Sequence, residues 1–186
     1  EDKETFEHTF TLIRRENGKL VAVPYSEAYA EWLKPAANLL KEAAELTNNE
    51  SLKTYLNSRA DAFLSNDYYQ SDMDWMDLDS QIEVVIGPYE VYEDKLFNYK
   101  AAFESFVTIV DPVESKKLAI LAQYLTELEN SLPIPDEYKN FDRGSESPVK
   151  VVQEVFSAGD TKAGVQTLAF NLPNDERVRE AKGSKK

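Results

Sequence analysis

Hydrophobic and polar residues alternate along the chain with two different periods, which divide it into strand-like and helix-like segments. Near the amino terminus apolar residues occupy every second position, and Asn17-Gly18 separates two such runs, which is typical of a β-hairpin. Elsewhere apolar residues recur every three to four positions, as on one face of a helix. The patterns predict a hairpin at 5–25, helices at 26–66, strands at 82–110, a helix at 113–131 and strands at 149–177.

Some of these segments carry more detailed expectations. Gly87-Pro88 is expected to interrupt the 82–110 segment directly after its first β-branched run. The leucine-rich face of the helix at 113–131 is expected to be buried. A last strand is expected at 166–172, and the charged tail from 178 onward is expected to be helical or frayed.

The order of the segments predicts an α+β fold with a mixed or partly barrel-like β-sheet and several packed helices. A length of 186 residues suits a single domain, 1–186, with a core of its own. The chain begins with Glu1-Asp2 rather than with methionine, and it ends in a charged tail. We therefore expect a fragment of a larger protein.

Composition excludes several classes of function. The chain has 34 acidic and 21 basic residues, a formal net charge of -13, which argues against a nucleic-acid partner because phosphate binding depends on Lys and Arg. It has no cysteine, so thiolate zinc sites and cysteine nucleophiles are excluded. The one histidine, His8, lies on the apolar face of the first predicted strand, where a packed residue is the favoured interpretation. No run of membrane-spanning length and no signal peptide are visible, and we expect a cytoplasmic protein, with the periplasm as the alternative.

Four aspartates between 72 and 79 suggest a calcium loop, but the spacing does not support one. Counted from Asp72, the fifth and sixth positions of an EF-hand loop hold Met76 and Asp77 instead of an oxygen ligand and glycine. The better interpretation is an acidic loop whose Trp75 and Met76 pack inward. No metal site is predicted in this chain.

Two polar pairs stand out in otherwise apolar surroundings. Glu90 and Tyr92 are two residues apart, so in an extended chain they project to the same side of a strand. Asn171 and Asn174 have short amide side chains that can hold a backbone, either that of their own turn or that of a bound peptide. Spacing alone favours a strand end for the first pair and a turn for the second.

Two longer motifs resemble the dipeptidyl peptidase III family of zinc metallopeptidases: GPYEVYEDKLFNYKAAFESFV at 87–107 and FNLPNDER at 170–177. The likeness is to the bacterial and plant-type branch, some of whose members are fused to or named as Nudix hydrolases. The resemblance implies that the chain is part of a larger, two-lobed protein. It also implies a zinc ion held by a HExxxH-type helix and a downstream glutamate, none of which occurs in this sequence. The expectation is therefore zinc in the parent protein, none bound by this fragment, and no peptidase activity of the fragment alone.

The resemblance assigns roles to the four polar residues. Glu90 and Tyr92 match the family's Glu-x-Tyr pair, in which the glutamate holds the free amino terminus of the substrate and the tyrosine acts catalytically on the carbonyl under attack. Asn171 and Asn174 match the Asn-x-Pro-Asn element, which anchors the same terminal dipeptide. These roles fit the chemistry, since a carboxylate suits an ammonium and a phenol can steady an oxyanion.

The function expected from the resemblance is the substrate-binding part of a zinc-dependent hydrolase that removes dipeptides from peptide amino termini. Its partners would be a peptide substrate and the remainder of the parent chain, with neither nucleic acid nor membrane. Two alternatives remain open. One is a non-catalytic peptide- or protein-interaction domain, and the other is an appendage of a Nudix (MutT-type) hydrolase, although no Nudix box occurs in this sequence.

Overall fold

A computed structural model of the chain describes residues 2–95, 97–139, 149–164 and 166–185. The helices are α1 (Asp2–Glu7), α2 (Tyr25–Ala28), α3 (Ala30–Leu46), α4 (Glu50–Ser65), α5 (Tyr69–Met76), α6 (Pro112–Ala122), α7 (Leu125–Asn130), α8 (Asp160–Ala163) and α9 (Glu176–Lys182). The strands are β1 (Thr11–Glu16), β2 (Lys19–Pro24), β3 (Ile82–Glu90), β4 (Ala102–Val110) and β5 (Val152–Gly159), and Asp136–Tyr138 form a 3-10 turn. The predicted α+β class is confirmed.

The strands form two antiparallel sheets, the hairpin β1-β2 and a three-stranded sheet in the order β3-β4-β5. Neither sheet closes into a barrel within the described ranges. In the larger sheet Gly87 of β3 lies opposite Glu104 of β4, and Glu104 in turn lies opposite Gly159 of β5. This register places one carboxylic acid between two residues that have no side chain.

Helices α3, α4 and α5 cover one side of the larger sheet and form the core with it. One buried cluster joins Tyr55 and Leu56 of α4 with Trp75, Val85 and Phe106. A second cluster gathers apolar residues around Phe63, and the ring of Phe103 packs against it at 6.0 Å between centroids. The apolar face of α4, which has the three-to-four spacing, thus packs against the inward faces of β3 and β4, which have the alternating pattern.

The first strand begins later than the start of the predicted hairpin at 5–25. Residues up to Glu7 form helix α1, and the strand begins only at Thr11. The amino-terminal segment is rich in charged residues, and Lys3 and Glu7 form an ion pair one helical turn apart, which favours a helix over an edge strand. His8 therefore lies before the strand, where its side chain is exposed and its Nδ1 accepts the N–H of Phe10 at 3.1 Å.

Two other local expectations are also corrected. Strand β3 continues through Gly87 and Pro88, and the irregular pairing with β4 lies between Pro88 and Glu90. Residues 69–76 form helix α5 instead of an acidic loop, because Asp72 is buried against a cation of α4. Trp75 is buried as predicted.

The helical segment at 113–131 is divided into α6 and α7, and its apolar face is not buried. The side chains of Ile120, Leu121 and Leu128 are each more than half exposed. An apolar stripe predicts which face of a helix can pack, but it does not reveal whether the packing partner belongs to the same chain.

The segment at 149–177 contains one strand, β5, and residues 166–172 do not form the second. The Thr167 N–H donates to the Thr161 hydroxyl, and Leu172 pairs only with Lys185 of the tail. The tail is helical over α9 and then anchored, since Lys185 is 3% exposed. No helix in the described part of the chain is long and apolar enough to cross a membrane.

Candidate functional site

A cavity of about 570 Å³ opens beside the end of β3, between β4 and the segment at 166–174. All four residues predicted from the sequence line this cavity: Glu90, Tyr92, Asn171 and Asn174. They come from segments separated by about eighty residues of sequence, and the tertiary structure brings them together.

Glu90 is the last residue of β3, and its carboxylate shapes the turn that follows. One oxygen accepts the N–H of Tyr92 at 2.6 Å, and the other accepts the N–H of Glu93 at 3.1 Å. A carboxylate offers about four lone-pair positions, so acceptor capacity remains for a cation in the cavity.

Tyr92 lies outside the strand, which corrects the expectation that it shares an extended chain with Glu90. The turn held by the Glu90 carboxylate leaves the Tyr92 side chain 85% exposed. Its phenol is therefore accessible to a ligand in the cavity.

Asn174 is attached to the strand that carries Glu90. Its side-chain amide donates to the backbone carbonyl of Tyr89 at 2.9 Å, which fixes the loop against the end of β3. The side chain of Asn171 makes no hydrogen bond to another described residue, and both asparagines are exposed. The intervening Leu172-Pro173 peptide bond is cis.

A buried polar network lies beneath this junction. The Tyr89 hydroxyl and the Arg59 guanidinium both donate to Asp72 Oδ1, at 2.5 and 2.7 Å. Burial raises the pKa of Tyr89 well above its ordinary value, so the phenol keeps its proton and remains a donor. Arg59 is fully buried, and its charge lies over the rings of three tyrosines: Tyr55, Tyr68 and Tyr89, each 5.3 to 5.4 Å away.

Sequence reasoning missed Arg59, although a signal was present. Residues 52, 55, 56, 60 and 63 form the apolar stripe of α4, and position 59 belongs to the same face. A charged residue on such a stripe indicates a buried partner, but the sequence does not identify that partner.

Lys185 anchors the other side of the Asn171–Asn174 loop. Its backbone exchanges two hydrogen bonds with Leu172, at 2.8 and 3.1 Å. Its ammonium donates to the Trp75 carbonyl at 2.7 Å and to Glu83 Oε1 at 2.9 Å. Burial lowers the pKa of Lys185, and the Glu83 carboxylate opposes that shift. Nothing in the charged tail sequence indicated that this one lysine is buried.

Glu104 forms part of the cavity wall and was also missed. It is 6% exposed, and its carboxyl group has no hydrogen-bond donor among the described residues. Burial, together with the charges of Glu90 and Asp160, raises the pKa of Glu104 to about 7. The signal in the sequence is its position two residues before Phe106, on the inward face of β4.

The cavity is suited to cationic ligands. Its acidic lining residues are Glu90, Glu93, Glu104 and Asp160, whereas the basic residue among the described lining is Arg179, which pairs with Glu176 at 3.1 Å. The described residues contain no group of three histidine, cysteine, aspartate or glutamate side chains that could hold a metal ion. The chemistry available is therefore recognition by carboxylates and amides next to an accessible phenol.

Comparison with known proteins gives consistent results. The chain is 72% identical to the protein in "Structure of DPP III from Caldithrix abyssi", with a TM-score of 0.93, over 99% of this chain and 35% of that one. It is 50% identical to dipeptidyl-peptidase III from Corallococcus sp. strain EGB, with a TM-score of 0.86, over 99% of this chain and 34% of that one. It is also 46% identical to "Nudix hydrolase 3" of Arabidopsis thaliana, over 90% of this chain and 22% of that protein.

The chain thus spans about a third or less of the length of these relatives. The model of peptidase family M49 matches residues 2–186. This match extends over both motifs that carried the resemblance and over the helices between them. The chain belongs to peptidase family M49.

Proposed function

We propose that this chain is the substrate-binding part of a zinc-dependent hydrolase that removes dipeptides from the amino termini of peptides. The observation that carries the proposal is that Glu90, Tyr92, Asn171 and Asn174 line one acidic cavity. Membership of a peptidase family and likeness to proteins named dipeptidyl peptidase III support a peptide as the substrate.

Each residue has a role that its contacts allow. The Glu90 carboxylate holds the terminal ammonium, using the acceptor positions that the Tyr92 and Glu93 amides leave open. Asn174 donates to the Tyr89 carbonyl, so its own amide oxygen can accept from the bound peptide. Asn171 offers both a donor and an acceptor to the peptide backbone. The Tyr92 phenol donates to the carbonyl oxygen that gains negative charge during attack.

Zinc would polarise the scissile carbonyl and activate water in such an enzyme. The described residues do not fit a zinc site, because they contain no suitable group of ligands. We therefore propose that zinc is held by another part of the parent protein, and we assign no step through it to this chain. The exposed apolar face formed by Ile120, Leu121 and Leu128 is proposed to pack against that remaining part.

Exchange of Glu90 and Tyr92 in the full-length protein should separate binding from turnover. Glu90→Gln removes a charge-assisted contact, for which we expect a rise in KM of roughly 10-fold to 100-fold. Tyr92→Phe removes a donor to the oxyanion, for which we expect kcat to fall by about 100-fold. Steady-state hydrolysis of a dipeptidyl naphthylamide measures both.

Two neighbouring residues provide matched controls. Glu93→Gln removes the same charge near the cavity, and Tyr99→Phe removes a phenol from the same loop, yet neither residue belongs to the Glu-x-Tyr pair. We expect both to change the rates less than threefold. Normal rates in the Glu90 and Tyr92 variants would refute the assigned roles.

The isolated 186-residue chain is expected to release no dipeptides, with or without added zinc. The reason is that peptide hydrolysis of this type needs a metal site, and the described residues supply no ligand set for one. Chromatographic analysis of a peptide incubated with the purified chain measures the release. Zinc-dependent formation of dipeptides would show that the chain is catalytic by itself.

The similarity to a protein named Nudix hydrolase 3 supports a second candidate, in which this unit is an appendage of a Nudix enzyme. Assays of the full-length protein distinguish the two. Hydrolysis of nucleoside diphosphate compounds without any peptidase activity would favour the appendage, and the reverse result would favour the peptidase.

A further inference from the structure

Tyr89 occupies the irregular position of strand β3, directly before Glu90. Pro88 and Glu90 lie opposite two consecutive residues of β4, 103 and 102, so Tyr89 is the extra residue of a β-bulge and has no residue opposite it in β4. A bulge of this kind bends its strand and changes the direction of the local backbone groups. The position of Tyr89 therefore sets the direction in which its own carbonyl group points.

The side chain of Tyr89 is anchored in the core. It is buried, its hydroxyl donates to Asp72 Oδ1 at 2.5 Å, and the Arg59 guanidinium lies 5.3 Å from the centre of its ring. The ring also packs closely against Gly87, where an added Cβ would lie 3.0 Å from a ring carbon of Tyr89 and 3.1 Å from Arg59 Nη1. The core thus holds both the ring and the hydroxyl of the bulge residue.

The backbone of the same residue holds the loop that carries the two asparagines. The extra residue of a bulge is left unpaired in the ladder of hydrogen bonds between the strands. The carbonyl oxygen of Tyr89 accepts instead the side-chain N–H of Asn174 at 2.9 Å, across 85 positions of sequence. One tyrosine therefore connects the buried Arg59–Asp72 pair with an asparagine that lines the cavity.

Tyr68 provides a comparison within the same buried network. Its ring also lies 5.3 Å from the Arg59 guanidinium, so the two tyrosines are equivalent neighbours of the cation. The buried hydroxyl of Tyr68, however, has no hydrogen-bond partner among the residues that the structure describes. The contact with Asp72 is therefore what distinguishes the hydroxyl of Tyr89.

We propose that Tyr89 is a positioning residue for peptide binding. Asp72 holds the hydroxyl and thereby the bulge, the bulge directs the carbonyl of Tyr89, and that carbonyl holds Asn174 in the orientation that receives the peptide. This inference rests on the proposed peptide-binding function. It adds that affinity for the peptide depends on a buried hydroxyl that does not itself bind the ligand.

Tyr89→Phe in the full-length protein removes the hydroxyl but keeps the ring and the Arg59–Asp72 pair. We expect KM for a dipeptidyl naphthylamide to rise about 5-fold to 20-fold, because a hydrogen bond to a charged group is lost. We expect kcat to change less than about twofold, because a displaced asparagine weakens the binding of substrate and transition state alike. Tyr68→Phe, the matched control, removes a hydroxyl without a partner and should change KM and kcat less than about twofold.

Combination with Asn174→Ala tests whether the effect passes through that asparagine. In the Asn174→Ala protein the hydrogen bond to the Tyr89 carbonyl is already lost, so the further exchange Tyr89→Phe should raise KM by less than about twofold. A role of Tyr89 in stability alone would give the same change in KM in both backgrounds. Urea unfolding of the two phenylalanine variants measures their stability separately from KM.

The outcomes separate this inference from the proposed function. Equal KM values for the Tyr89→Phe and Tyr68→Phe proteins would overturn the role of Tyr89 and leave peptide binding intact. An equal effect of Tyr89→Phe with and without the Asn174 side chain would overturn it as well. A natural full-length protein that hydrolyses no dipeptidyl substrate would overturn the proposed function and, with it, the positioning role.

Discussion

Asp72→Asn is expected to lower the free energy of unfolding by about 3–5 kcal/mol, because it breaks a buried ion pair without removing the other charge. Arg59 is fully buried and cannot lose its proton at any ordinary pH, so its charge would remain in the core without a counter-ion. The Tyr89 hydroxyl would also lose its charged acceptor at 2.5 Å. Urea unfolding of the natural chain and the variant gives the difference directly.

The exposed pair Lys41–Asp61 is the matched control for this prediction. Its N–O distance is 2.8 Å, close to the 2.7 Å of Arg59–Asp72, but its side chains are 46% and 69% exposed. Asp61→Asn is therefore expected to cost about 1 kcal/mol or less. Equal losses of unfolding free energy in the two variants would contradict the importance of burial for this pair.

Tyr89 carries the carbonyl that holds Asn174, so loosening of the network should also weaken peptide binding.

Lys185→Met is expected to lower the free energy of unfolding by about 2–4 kcal/mol, because Glu83 would lose its closest cation in a buried site. Among the described residues, the cation that Glu83 would keep is Lys150, whose ammonium is 3.4 Å away. Loss of the anchor should loosen the backbone pair between Lys185 and Leu172 and, with it, the loop that carries the two asparagines. Hydrogen exchange of the Leu172 amide reports this loosening separately from global unfolding.

Lys182→Met serves as the comparison within the same tail. Its ammonium contacts Asp77, which is mostly exposed. We therefore expect the free energy of unfolding to fall by less than about 1 kcal/mol, and hydrogen exchange of the Leu172 amide to be no faster. If Lys185→Met and Lys182→Met behaved alike, the buried ammonium could not be what holds the loop.

The sequence predicted whether a segment is a helix or a strand more accurately than it predicted where that helix or strand begins and ends. The sequence shows the helical spacing of apolar residues in α4 and their alternation in β4, because one face of each element is buried in the same core. The start of β1 was misplaced because residues 5–12 alternate like a strand, while the charges of residues 2–7 favour a helix. The strand expected at 166–172 is absent because these residues pair with a short helix and with the tail instead of with a sheet edge.

The four site residues could be proposed from two motifs, but their arrangement could not. The expectation that Glu90 and Tyr92 share one side of a strand failed, because the Glu90 carboxylate bonds the amide of Tyr92 and turns the chain. Glu104 and Arg59 were visible only as charged residues at inward positions of a strand and a helix.

The sequence by itself determined the α+β composition, the acidic character of the chain and the family motifs, because these depend on residue type and local spacing. Only the tertiary structure decided that Glu90 and Asn174 meet, that Arg59 and Lys185 are buried beside their acids, and that Glu104 lies between two glycines. Those relations join residues up to about a hundred positions apart. They follow from how the sheet, the helices and the tail pack together, which no local pattern encodes.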